Sequence, residues 1–165
     1  MNLAASAAAS GSSAEIVTSF SPFGALHHDT GLGYIAEGRN KRHITLNLEN
    51  PKGREIFKSL VGGADVLIET YPAGTMDAWG LGYEELAKLN PRLILCSITG
   101  YGQFGPDSGR RQYDYDNVAQ ARSGIQYMLT IPGSIPPTSR PGIIDRVSSM
   151  QIFGGIAATA VSSTS

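Results

Sequence analysis

The chain has 165 residues, 41% hydrophobic and 16% charged, with a formal net charge of −1 from 13 basic and 14 acidic side chains. This balance is too apolar for a chain disordered throughout, and outside Arg39, Lys41 and Arg42 its basic residues are too thinly spread for a nucleic-acid surface. No run approaches the ~18 apolar residues of a membrane span, the opening lacks a basic signal-peptide region, and Cys96 stands without a second cysteine; a soluble, cytoplasmic chain is expected.

Residues 1–20 are rich in Ala, Ser and Gly and carry little side-chain area to bury, which predicts a flexible leader ahead of one domain over 21–165. Between Ser21 and Gly38 the glycines and the Ser21-Pro22 step predict loop. His27 and His28 lie there, but neighbours in sequence point to different sides of any regular element and no carboxylate or Cys stands at ligand spacing, so no metal site is expected. From His43 to Leu48 the alternation sets Ile44, Leu46 and Leu48 on one face of a predicted strand.

Asn50 is placed to cap a helix that has Pro51 at its first position, an apolar stripe of Ile56, Phe57, Leu60 and Val61, and Gly62-Gly63 as its stop. The apolar run from Ala64 to Thr70 then predicts a buried strand parallel to the first. A second helix, Tyr83 to Leu89, lies between Gly82 and Asn90-Pro91, and a third parallel strand is predicted from Arg92 to Ile98. Cys96, inside this apolar strand and without a nearby His, reads as a core residue rather than a catalytic thiol. Beyond the turn-rich 100–109 segment, one helix is predicted over 116–128, an irregular stretch over 132–141, and a last helix from near Asp145 carrying Val147, Met150, Ile152, Phe153, Ile156 and Ala160. Open parallel sheets bind ligands beyond the carboxyl ends of their strands, which points to Glu49, to Thr70 through Gly74 and to Thr99 through Gly105. Taken alone, Asp145 reads first as a helix cap or a solvated charge.

Three stretches carry a resemblance. The first is Asn40-Lys41-Arg42-His43-Ile44-Thr45-Leu46-Asn47-Leu48 with Asn50-Pro51-Lys52-Gly53-Arg54 and Gly63-Ala64-Asp65-Val66-Leu67-Ile68-Glu69. The second runs from Gly80-Leu81-Gly82-Tyr83-Glu84-Glu85-Leu86 through Leu89-Asn90-Pro91-Arg92-Leu93-Ile94 to Gly100-Tyr101-Gly102-Gln103-Phe104-Gly105-Pro106. The third comprises Tyr115-Asp116-Asn117-Val118-Ala119-Gln120-Ala121-Arg122-Ser123-Gly124, then Arg140-Pro141-Gly142-Ile143-Ile144-Asp145, with Gly154-Gly155-Ile156 downstream. In order and spacing they resemble the class III coenzyme A transferases, the family of formyl-CoA transferase, carnitine CoA-transferase and the α-methylacyl-CoA racemases.

The resemblance implies an α/β fold, a Rossmann-like parallel sheet with flanking helices. The family's first βα unit and second domain have no counterpart in this sequence, so 21–165 reads as a partial large domain, expected to be inactive in isolation. Acyl-CoA and a carboxylic acid are the implied substrates, with no permanently bound cofactor, no nucleic acid and no membrane, in an interlocked homodimer. Asp145 falls at the family's catalytic aspartate. Asp116 matches an acidic position that lends polar support to the intermediates, a role that stands beside the plain alternative of a carboxylate favoured by its helix dipole. Implied CoA contacts are Leu46, Asn47, Leu48 and Glu49, Thr70, Tyr71 and Pro72, and Tyr113 and Tyr115.

Some positions depart from the family pattern. Ser149 stands where Gly is usual and Arg146 adjoins Asp145, where its charge would favour the ionised carboxyl. Glu49 replaces a cation and Ala78 an arginine, a loss of phosphate attraction that Lys41 and Arg42 are placed to offset. The racemase branch needs an acid and a base on opposite faces of an α-carbon and has a His before the residue matching Asp116; here that residue is Tyr115, which favours transfer over racemisation. A non-catalytic interaction module, with exposed sheet edges and apolar surface, is the reading from a different class.

Overall fold

The computed structural model describes residues 26–27, 30–31, 40–108, 115–139 and 142–162; the predicted leader, His28 and Tyr113 lie outside them. In chain order the elements are β1 (Leu26–His27), β2 (Thr30–Gly31), α1 (Pro51–Val61), β3 (Val66–Glu69), α2 (Thr75–Ala78), α3 (Tyr83–Leu89), β4 (Ile94–Ser97), α4 (Asp116–Arg122), α5 (Ile125–Met128) and α6 (Ile143–Ser162).

The helix predicted after Asn50 forms as its sequence dictates. Asn50 Oδ1 accepts the Lys52 N–H at 3.0 Å and Pro51 occupies the first turn, where no N–H partner is needed. Its inner face differs from the predicted stripe: Gly53, Phe57 and Val61 are buried, whereas Ile56 is 53% exposed. The cause is the chain passing over Gly53, where a Cβ would overlap the carbonyl oxygen of Asn47. That close approach turns the i, i+4, i+8 row of Gly53 inward and Ile56 outward.

β3 and β4 pair in parallel, with Val66 opposite Ile94 and Glu69 opposite Ser97. Two backbone bonds extend the ladder, Ile94 N–H to Asp65 C=O at 3.0 Å and Ile98 N–H to Glu69 C=O at 2.9 Å. The strand predicted over residues 43–48 is a correction: among the described residues no strand pairs with it. Its apolar face survives in part, because Leu48 is 4% exposed and Leu46 packs against the same core, but Ile44 is exposed. Alternation reports burial; a strand also needs a ladder partner. The end of this segment is held by side chains instead, with Asn47 Oδ1 accepting Glu49 N–H at 2.9 Å and Arg54 Nη1 donating to Leu48 C=O at 3.1 Å and Glu49 C=O at 3.0 Å.

Three further corrections concern short elements. The predicted 21–38 loop contains the antiparallel pair β1–β2, two residues long and too short for alternation to reveal. α2, also unanticipated, is a single turn entered through Gly74 at φ 80° that buries Met76. The helix predicted over 116–128 is two helices, because Gly124 sits at φ 81° between α4 and α5.

The core consists of Leu48, Phe57, Val61, Leu67, Met76, Leu81, Leu86 and Leu93, so α1, α3 and β3 share it with the residue that leads into β4. α6 packs on β4 and on α4. Ile144, Ser148, Ile152 and Ile156 form its half-buried i, i+4 row, while Met150 and Phe153 are exposed. No described helix is long and apolar enough to cross a membrane.

Asn90 ties together the two helix-to-strand connections, α1 to β3 and α3 to β4. Its Nδ2 donates to Val61 C=O at 3.1 Å and Ala64 C=O at 2.7 Å, and its Oδ1 accepts Arg92 N–H at 3.1 Å. Asn90→Ala removes these bonds at a half-buried site, and the expected loss is about 1–3 kcal/mol. Urea unfolding of the two proteins measures it, and a midpoint equal to that of the unsubstituted protein would contradict the role assigned to Asn90.

Candidate active site

Because β3 and β4 run parallel, their carboxyl ends share one edge of the sheet. At the β3 end Glu69 is buried, and its Oε2 accepts Tyr71 N–H at 2.7 Å, which turns the chain at Thr70. The Tyr71 ring meets Trp79 edge-on, with centroids 5.0 Å apart. Burial, and secondarily the Glu69 charge, push the Tyr71 phenol above its ordinary value.

Leu46 and Tyr71 both pack against the core cluster, so the predicted CoA contacts of 46–49 and of 70–72 rest on one foundation. Within them Asn47, Glu49, Thr70 and Pro72 are exposed. Leu48 points into the core and its carbonyl is occupied by Arg54. Tyr115 is 63% exposed at the cap of α4, and Ala78 is exposed at the end of α2.

At the β4 end the Thr99 hydroxyl oxygen is buried without a hydrogen-bond partner among the described residues. The following turn is fastened to α4 by Arg122, whose guanidinium lies 4.9 Å from the centroid of the Tyr101 ring and donates from Nη2 to Asp107 Oδ2 at 2.7 Å. Between these elements opens a cleft of about 270 Å³, walled by Gly100 and Tyr101, by Val118, Ala119 and Arg122 of α4, and by Ile144 of α6.

Beside Ile144 the two predicted acidic residues come together. Asp116 Oδ1 accepts the backbone N–H of Ile144 at 2.8 Å and that of Asp145 at 3.0 Å, so one helix supplies the N-terminal cap of another. A Cβ built on Gly142 would lie 3.1 Å from Asp145 Oδ2 and 3.2 Å from Asp116 Oδ1, so both carboxyl groups border the same point. Asp145 is exposed in the first turn of α6, and Ser149 bonds back to its carbonyl at 2.7 Å rather than to its carboxyl group.

Gln120, which sequence reading passed over, is fully buried behind Asp116 and donates to its Oδ2. The available signal was the i, i+4 spacing of an acid and an amide on one helix. Gly142 was also missed as the residue whose lack of a side chain leaves space between the two carboxyl groups.

Residues 16–164 match the family described as CoA-transferase family III. The chain belongs to that family. Over 127 residues it is 42% identical to human succinyl-CoA:glutarate CoA-transferase, covering 76% of this chain and 28% of the relative. Over 107 residues it is 45% identical to the beta subunit of succinyl-CoA–L-malate CoA-transferase from Chloroflexus aurantiacus, covering 65% of this chain and 26% of that one. Among solved structures, a CaiB/BaiF family protein from Brucella suis superposes with a TM-score of 0.67 at 34% identity, over 73% of this chain and 32% of the other. A hypothetical protein from Mycobacterium tuberculosis gives 0.67 at 28% identity, over 74% and 35%. The family III chain therefore spans between a quarter and a third of the length of these curated relatives.

Two measurements follow from the β3–β4 edge. Cys96 is half-buried, and burial together with Glu69 raises its thiol above the ordinary value. Its alkylation by iodoacetamide at pH 8 is expected to be roughly tenfold or more slower than in the urea-unfolded chain; equal rates would contradict this protection. The Tyr71 phenol, raised in the fold, loses its proton first in the unfolded chain, so its contribution to stability is complete below about pH 10 and is lost as pH rises through the folded value. Tyr71→Phe should flatten the alkaline limb of a stability–pH profile, and an unchanged limb would contradict this.

Proposed function

We propose that this chain carries the nucleophile of a CoA-transferase, with Asp145 as the attacking carboxylate and acyl-CoA and a carboxylic acid as substrates. The observation that supports this best is the convergence of Asp145 and Asp116 on Gly142, at the start of α6 beside the cleft at the strand ends. The parallel pair β3–β4 is read as part of a Rossmann-like sheet, and residues 21–165 as part of a large domain that works within a family-length, interlocked homodimer. On this reading the 165-residue chain alone does not turn over.

In the first half-reaction the Asp145 carboxylate attacks the thioester carbonyl and expels the CoA thiolate, which leaves a mixed anhydride of Asp145 and the acyl group. The thiolate then attacks the Asp145 carbonyl and releases the donor acid, giving an aspartyl-CoA thioester. The acceptor carboxylate repeats both steps in reverse order: it attacks the aspartyl thioester, the thiolate returns to the acyl carbonyl, and the Asp145 carboxylate is regenerated with new acyl-CoA. Asp116 holds the backbone from which Asp145 projects, and the dipole at the α6 N-terminus favours a carboxylate there. Leu46, Asn47, Glu49, Thr70, Tyr71, Pro72, Tyr113 and Tyr115 are proposed to line the CoA path, with Leu48 acting through its backbone. The relatives named for succinyl-CoA make a dicarboxylic donor the first choice for assay.

The family-length protein carrying these residues, treated with succinyl-CoA and hydroxylamine, is expected to lose activity and to yield a hydroxamate at Asp145. Asp145→Asn should lower transfer by more than about a thousandfold. Full activity after treatment, with Asp145 unmodified, would sink the mechanism. Solvent deuterium entering the α-carbon of a chiral 2-methylacyl-CoA without an acceptor acid would favour racemisation instead.

A further inference from the structure

We infer that Gln120 is a positioning residue for Asp145, acting through Asp116 and Ser139; the inference rests on the nucleophile reading of Asp145. Gln120 is 0% exposed, and both ends of its amide are engaged. Its Nε2 donates to Asp116 Oδ2 and, at 3.1 Å, to Ser139 C=O, while its Oε1 accepts Ser139 N–H at 2.9 Å. The amide thus reads the backbone of Ser139 in both directions, shortly before α6 begins, and binds the outer oxygen of the carboxylate that caps it. Asp116 is left with Oδ1 aimed at the N–H groups of Ile144 and Asp145.

The chemistry of the position selects an amide. A carboxylate there has no proton to give to Asp116 or to Ser139 C=O, and an apolar side chain of the same length leaves a buried carboxylate oxygen and two backbone groups short of partners. The Gln120 amide bonds to Asp116 and Ser139, and Gln120 is not among the residues that line the cleft. Its effect on the reaction passes through the direction in which Asp116 points, because reacting groups lose rate steeply when displaced by about an ångström.

Amide exchange in the 15N-labelled 165-residue chain tests the clamp. In Gln120→Glu the amides of Ile144 and Asp145 are expected to exchange roughly tenfold or more faster, while those of Leu67 and Cys96 in the paired strands keep their protection. Unchanged exchange at Ile144 and Asp145, or a uniform rise across all amides, would overturn the proposal. Adding Asp116→Asn to Gln120→Glu restores a donor facing an acceptor and leaves an amide oxygen for the two N–H groups, so partial recovery of protection is expected, and no recovery counts against the clamp. Should Gln120→Glu fail to fold, Gln120→Met provides the same local readout without a buried charge.

In the family-length protein, Gln120→Met is expected to slow hydroxylamine trapping at Asp145 by about tenfold or more, with the KM for succinyl-CoA within about twofold. A change in KM alone overturns the proposal. An unlabelled Asp145 in the unsubstituted protein overturns the nucleophile reading and this inference together. A labelled Asp145 with trapping unchanged in the Gln120 variants overturns this inference alone.

Discussion

A helix begins with N–H groups that its own backbone cannot satisfy. α6 meets this need through Asp116, a residue 28 and 29 positions earlier than the two donors it accepts. The bond therefore does more than cap. It fixes where α6 starts relative to α4, and since α6 also packs on β4, it sets the first turn of α6 against the end of the sheet. Residues 131–138, which lie ahead of α6, are all exposed, and Gln126 Nε2 holds them at Thr138 Oγ1 at 3.2 Å. Gln120 fastens that segment at Ser139 from inside, so one face of α4 determines both the approach and the entry of the final helix.

The sheet that receives this helix is small, and side chains reinforce its connections. Asn90 donates to the carbonyls of Val61, the last residue of α1, and of Ala64 just before β3, which joins the segment leading into β4 to the segment leading into β3. Glu69 closes the turn after β3 by accepting from Tyr71, a buried carboxyl group satisfied by backbone, which is the condition under which such burial is tolerated. Arg122 does the equivalent for the turn after β4 by stacking on Tyr101 while bonding Asp107. Each strand end is thus followed by a turn whose shape is held by one polar side chain.

Local signals made much of this readable. Asn50 followed by Pro51, the apolar runs at 64–70 and 92–98, and the span from Tyr83 to Leu89 all specify elements through contacts between near neighbours, and the structure has an element within each. What failed to read out depends on partners far along the chain. Residues 43–48 alternate as a strand does, yet pairing is a property of two segments. The facing of α1 follows from the backbone of Asn47 lying on Gly53, which α1's own periodicity does not contain. The acidic pair behaves the same way: Asp116 and Asp145 were each singled out through family resemblance, but their meeting at Gly142 depends on a fold-back that no spacing rule supplies. Gln120 was the least visible, since a buried amide looks on paper like a polar residue on a solvated helix face.

The electrostatics of the 46–49 turn follow from the same economy of polar groups. Arg54 is the cation built into that turn, and its guanidinium donates inward to Leu48 and Glu49 carbonyls rather than outward. Glu49 itself is exposed with its negative charge toward solvent. A phosphate approaching this turn, as the proposed CoA path requires, would meet a carboxylate and a guanidinium already committed to backbone. Exposed lysine and arginine side chains flank the turn, Lys41 and Arg42 before it and Lys52 after it. On the proposed CoA path the turn would supply shape and these flanking side chains charge, and anion attraction there would weaken as ionic strength rises.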